Sequence, residues 1–166
     1  TCRNFDASPT LRFERIPIIG SLYTKNKSRF PWNVEYGDIV NGLPVPQSST
    51  EAVYCSHILE HLSLEDLKRA LIQTHNILTT GGCFRLVLPD LEYSISQYIK
   101  NPSPDAALNF MNETSLGKNN RSRNLKGFVS EWMGNSQHYW MWDFKSLSQE
   151  LEAAGFENIR RAEFGD

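Results

Sequence analysis

Between Glu51 and Leu91 the apolar positions of the chain change period twice. Ala52-Val53-Tyr54-Cys55 and Cys83-Phe84-Arg85-Leu86-Val87-Leu88 are short, mostly apolar runs, as expected for strands of a sheet covered on both faces. Between them Leu67, Ala70, Leu71, Thr74, Ile77 and Leu78 recur at helical spacing, while Glu65, Lys68, Arg69 and Gln73 fall on the opposite face. Ser63 begins that helix, with Asp66 in the position a capping box gives to Glu or Gln. Gly81-Gly82 is expected to close it, because a left-handed cap conformation costs glycine least. Strand, helix and strand in this order predict a right-handed parallel crossover. Ligands of such sheets gather at the carboxyl ends of the strands, here Cys55-Ser56-His57 and Leu88-Pro89-Asp90.

The flanking pattern extends this unit. Cys2-Arg3-Asn4-Phe5-Asp6 reads as the tail of a strand ending on a carboxylate, just before the turn or helix-start signal Ala7-Ser8-Pro9. Asp6 is there either an acceptor for a ribose diol or a helix N-cap. Leu11 to Phe30, interrupted by Pro17 and Gly20, predicts irregular chain with at most a short helix. Trp32 to Tyr36 alternates at the strand period and ends at Gly37-Asp38; Asn41 to Pro46 reads as a turn and surface loop. Downstream, short helices are expected from Leu91 to Ile99, stopped by Asn101-Pro102, from Ala106 to Met111, and from Phe128 to Met133, ending at Gly134. The aromatic run Gln137 to Asp143 leads into a helix bearing Phe144, Leu147, Leu151 and Ala154, capped by Gly155, and Phe156 to Phe164 offers a final strand. Asp6, Asp38 and Ser56-His57 then make three polar strand ends on one edge of a parallel sheet, which marks that edge as the ligand side.

Composition narrows the class. The 166 residues suit one domain, and 40% hydrophobic with 22% charged residues is ordinary for a soluble globular protein. A net charge of −2 gives no reason to expect nucleic acid or an anionic membrane as partner. The local cations Lys118, Arg121, Arg123 and Lys126 read as a solvated loop rather than an anion-binding patch. Cys2, Cys55 and Cys83 lack metal-ligand spacing, and two of them lie in strand signals, which suits a reducing compartment. No apolar run approaches the ~20 residues of a membrane span, so a cytoplasmic location is expected. The chain opens on Thr rather than Met, and the natural start is expected upstream.

The order Asp6, Gly37-Asp38, Cys55-Ser56-His57-Ile58-Leu59-Glu60-His61-Leu62 and Leu78-Thr79-Thr80-Gly81-Gly82 resembles class I S-adenosylmethionine-dependent methyltransferases of the type 11 group. The likeness covers roughly Phe5 to Leu91, with a matching terminal helix and strand. It implies an α/β, Rossmann-like and mostly parallel sheet with helices on both faces. Residues 1–91 would form the cofactor side, 92–143 the substrate-side helices and loops, and 144–166 the terminal helix and strand of one domain. It also implies S-adenosylmethionine as cofactor and a small-molecule methyl acceptor. By the same likeness Asp6 holds the ribose hydroxyls, Asp38, flanked by Gly37 and Ile39, accepts from the adenine amino group, and Ser56 and His57 line the methionine part. Glu60 and His61 lie just behind, with His61 as a further cofactor contact or a polar group satisfied at a helix entry. The family's first strand and glycine-rich turn have no counterpart in this sequence; they are expected to lie upstream of Thr1 or to be lost.

Catalytic candidates are His57, His138 and Asp90, placed at strand ends or in the aromatic run. Tyr139, Trp140 and Trp142 are either core or an apolar wall for the acceptor. Two other functions fit the same residues. A methyltransferase-like scaffold without catalysis would use the fold as a partner domain. His57-Ile58-Leu59-Glu60-His61 also spells H-x-x-E-H, in which two histidines a helical turn apart hold zinc and the glutamate activates water. The Ser63 cap argues against the continuous helix that motif needs, no third ligand announces itself, and no resident metal is expected.

Overall fold

The structure, a computed structural model, describes residues 2–17, 29–118 and 137–163. In chain order the elements are β1 (Asn4–Asp6), α1 (Pro9–Glu14), β2 (Val34–Tyr36), β3 (Thr50–Ser56), a single 3-10 turn (Leu59–His61), α2 (Leu64–Ile77), β4 (Leu78–Val87), α3 (Leu91–Lys100), α4 (Ala106–Glu113) and α5 (Phe144–Ala153). The helix expected from Phe128 to Met133 and most of the cationic stretch lie outside the described residues.

The strands form two parallel pairs, β1 with β2 and β3 with β4. Arg3 fastens the first pair with a two-pronged contact to Glu35, Nε to Oε1 at 2.9 Å and Nη2 to Oε2 at 2.7 Å. In the second pair α2 is the crossover, so the parallel β-α-β unit read from the sequence is present. This alternation of parallel strand pairs with helices is an α/β, Rossmann-like arrangement.

Helix α2 forms where its sequence dictates. The Ser63 hydroxyl accepts from the Asp66 amide at 3.2 Å and donates to the Asp66 carboxylate at 2.8 Å, a side-chain variant of the capping box. Leu67, Ala70, Leu71, Thr74 and Ile77 are all buried, which is the face the apolar spacing picks out. They join a core made of Cys55 of β3, Leu59 of the 3-10 turn, Trp142, and Leu147 and Leu151 of α5. Phe84 and Leu86 of β4 pack against the same core, so α2 and α5 cover one face of the β3–β4 pair, while Ala52, Tyr54 and Val87 are exposed. Helix α5 ends as expected at Gly155, whose φ of +98° lets its amide reach the Glu152 carbonyl at 3.0 Å and lets Phe156 reach Leu151 at 3.1 Å.

Three expectations are corrected. Asp6 and Asp38 do not share one sheet with Ser56-His57 among the described residues, because β1–β2 and β3–β4 are separate pairs. Gly81-Gly82 does not close α2; the helix stops at Ile77 and Leu78 passes directly into β4. The glycines instead lie within β4, where the register jumps from Thr50 opposite Leu78 to Ala52 opposite Cys83. Gly81, at φ +78°, supplies the left-handed residue that this irregularity requires. The final strand is also missing: Phe156 to Glu163 pairs with no strand among the described residues. Phe156 serves packing instead, its ring lying 5.2 Å from His75 and 5.4 Å from Phe84.

Candidate functional site

The carboxyl ends of β1 and β2 coincide. Asp6 sits opposite Tyr36, and the Gly37 amide donates to the Asp6 carbonyl at 3.2 Å, so Asp6 and Gly37-Asp38 share one rim. One oxygen of Asp6 accepts from the Ser8 amide at 2.7 Å, while Ser8 itself caps α1; the second oxygen accepts nothing among the described residues. The N-cap role weighed for Asp6 therefore belongs to Ser8. Asp38 is more engaged: Oδ1 accepts from the Val40 amide at 2.9 Å and Oδ2 from the Asn41 side chain. Each of its oxygens keeps a second lone pair for a ligand. Gly37 has a different reason from close approach to a ligand, because a Cβ there would lie 2.7 Å from Phe5 Cδ1 and 3.0 Å from Leu43 Cδ2. Next in the chain, Ile39 and Val40 pack on the core that contains Cys55 and Leu59, which brings the β2 rim to the end of β3.

At that end Ser56 pairs with Val87, and His57 leaves the strand with φ +53°, its amide still donating to the Val87 carbonyl at 2.9 Å. A non-glycine residue held in the left-handed region is uncommon and turns the chain sharply into the 3-10 turn that follows. This turn brings Glu60 inward. With 1% exposure, Glu60 is the only buried acid among the described residues, and His57 Nδ1 stands 3.1 Å from its Oε1. Glu60 Oε2 has no hydrogen-bond partner among the described residues.

The backbone of Glu60 holds the other side of the site. Its carbonyl accepts from the amides of Tyr139 at 2.8 Å and Trp140 at 3.3 Å, which places His138 Nε2 4.0 Å from Glu60 Oε1. The rings of His61 and His138 meet edge to face at 4.9 Å, and His61 Nδ1 lies 3.0 Å from the Gln137 carbonyl. His57, His61 and His138 thus come together around a buried carboxyl group. Glu60, expected just behind the cofactor contacts, is instead the buried centre of this group, brought inward by the left-handed turn at His57 and covered by the segment around His138. The continuous helix that H-x-x-E-H requires is absent, since Leu59–His61 is a single 3-10 turn and His57 is left-handed.

Asp90 stands apart from this group. It caps α3 through the amides of Glu92 and Tyr93, and its Oδ2 accepts from Arg161 at 2.7 Å. The Arg161 guanidinium, helped by those amides, holds the Asp90 carboxyl below the usual carboxylate range, which makes it a weak base. Trp142 is 5% exposed and belongs to the core, whereas Tyr139 at 61% and Trp140 at 43% remain exposed beside Glu60. The Cys55 thiol is pushed up to about 12, by burial first and by the nearby Glu60 carboxylate second. A groove runs elsewhere, along β4 from Gly82 to Arg85 and past Phe156 to Arg161. It is lined by none of Asp6, Asp38, Ser56 and His57, so it lies apart from the polar strand ends.

Comparison with known proteins bears on the chemistry. No curated protein matches this chain significantly. A family model described as "Methyltransferase domain" matches residues 1–161, nearly the whole sequence. That match, together with the parallel strand pairs and their polar carboxyl ends, places the chain in a family of methyltransferase domains.

Proposed function

We propose that this chain transfers a methyl group from S-adenosylmethionine to a small-molecule acceptor, at the rim formed by the ends of β1, β2 and β3. The observation that carries this reading is the shared rim of Asp6 and Asp38, two carboxylates at the ends of neighbouring parallel strands. The residues suit the cofactor: the uncommitted oxygen of Asp6 and the remaining lone pairs of Asp38 offer acceptors for ribose hydroxyls and an adenine amino group. Ser56, His57 and Ile39 are the further contacts in this proposal, with His61 behind them and Gly37 supporting the rim through Phe5. When bound, the sulfonium supplies an already activated methyl group. The chain's own residues then hold the acceptor in line and exclude water.

His57, which faces Glu60, is the proposed proton acceptor for an oxygen or nitrogen nucleophile, and His138 lies on the other side of the same carboxyl group. Ile58, Tyr139 and Trp140 expose apolar surface beside them and form the proposed acceptor wall. Among the described residues no helix is long and apolar enough to cross a membrane. Calorimetric titration of the protein with S-adenosylmethionine tests the reading. Saturable binding at one site is the expected result, and heat indistinguishable from dilution would leave the fold as a scaffold without cofactor.

A further inference from the structure

We propose that Glu60, His61 and His138 form a binding site for one divalent transition-metal ion of the zinc type. One ligand atom from each of the three lies within 4.8 Å of the other two, and the residues come from the turn after β3 and from the segment before α5. A carboxyl group at 1% exposure is expensive to bury unless its oxygens are satisfied, yet Glu60 Oε2 has no partner among the described residues. His138 repeats the problem, since its Nδ1 is buried and equally unpartnered. A single cation placed among the three side chains gives the buried carboxyl group its missing partner.

The surroundings already have the form of an outer shell. His61 Nδ1 lies 3.0 Å from the Gln137 carbonyl and can only donate there, which fixes the tautomer and leaves the Nε2 lone pair for an ion. His57 Nδ1 contacts Glu60 Oε1 at 3.1 Å, steadying the carboxylate while Oε2 stays available. Two imidazoles and one carboxylate make a three-ligand set that suits zinc and leaves a coordination position for water. Bonds of about 2.0–2.2 Å require the ligand atoms to close to roughly 3.3 Å from one another, a side-chain adjustment within a cluster that is already close. Glu60 acts here as a ligand and His57 as its support, unlike the zinc-peptidase motif, in which Glu60 would activate water and His57 would bind metal. The third ligand was invisible in the sequence because His138 meets the turn only through the Tyr139 and Trp140 amides.

The test is titration of the untagged protein with zinc in competition with a chromophoric chelator. It uses a Cys2→Ser, Cys83→Ser background, because those exposed thiols are the competing ligands. One zinc per chain is expected, with affinity falling at least tenfold in Glu60→Gln, His61→Asn and His138→Asn and the metal-free variants keeping the parent's far-ultraviolet circular dichroism. No retained zinc, or affinity unchanged from the parent in all three variants, overturns the proposal. Should a variant fail to fold, cobalt(II) loading of the parent decides. Visible bands of a four-coordinate nitrogen and oxygen site support it, and a six-coordinate spectrum or thiolate charge-transfer bands refute it.

Discussion

His138 Nε2 stands 4.0 Å from Glu60 Oε1, although a long stretch of chain separates the two residues and no helix or strand contains His138. The pairing depends on backbone: two successive amides, of Tyr139 and Trp140, donate to the carbonyl of Glu60 and lay the downstream segment across the turn that ends β3. A buried acid is thereby closed in between three histidines at the edge where a parallel sheet presents its ligands.

Glycine at position 37 is required by packing against Phe5 and Leu43. Gly37→Ala would put a methyl group 2.7 Å from Phe5 Cδ1, so the variant should be less stable by about 1–3 kcal/mol. Chemical denaturation checks this. A parallel Phe5→Leu, Gly37→Ala double variant should recover part of the loss, whereas a strain located elsewhere would leave the two costs additive.

Burial and the Glu60 carboxylate both disfavour the thiolate of Cys55. A disulfide reagent at neutral pH should therefore modify Cys2 and Cys83 rapidly in the native protein, with Cys55 reacting only after denaturation. Rapid reaction of all three thiols without denaturant would show that the core around Cys55 opens readily.

The ion pair of Asp90 with Arg161 ties the start of α3 to the segment after α5. Because the folded Asp90 pKa is depressed, the contribution is fully present above the unfolded value of about 3.9. It is lost as pH falls through the lower folded value. Asp90→Asn keeps a capping side chain and should cost ~0.2–1 kcal/mol at neutral pH. Its stability should also fall less steeply in acid below about pH 4. Urea unfolding of both proteins from neutral to acidic pH reads the difference, and parallel curves would assign acid sensitivity to other carboxylates.

Much of this architecture was legible locally. Ser63 and Asp66 start α2, the spacing from Leu67 to Ile77 names its buried face, and Gly155 ends α5, because each signal acts within a few residues of itself. Gly81-Gly82 misled for the complementary reason: a glycine pair reads the same at a helix end and at an irregularity in a strand, and only the register against Thr50 and Ala52 distinguishes them. Phe156 to Glu163 has strand-like composition, but a strand needs a ladder partner, and its aromatic lead residue is held by His75 and Phe84 instead. At the site, Asp6 and Asp38 could be placed from strand ends alone. Glu60 could not, since its burial depends on the left-handed turn at His57 and on a downstream segment that no pattern links to it.

The account rests on Asp6 and Asp38 gripping one nucleoside between them, and paired calorimetric titrations with S-adenosylmethionine examine that directly. Asp6→Ala and Asp38→Ala should each weaken binding by ~1–3 kcal/mol, about 5- to 150-fold in affinity, with the fold preserved by circular dichroism. Affinity unchanged from the parent in both variants would contradict the account.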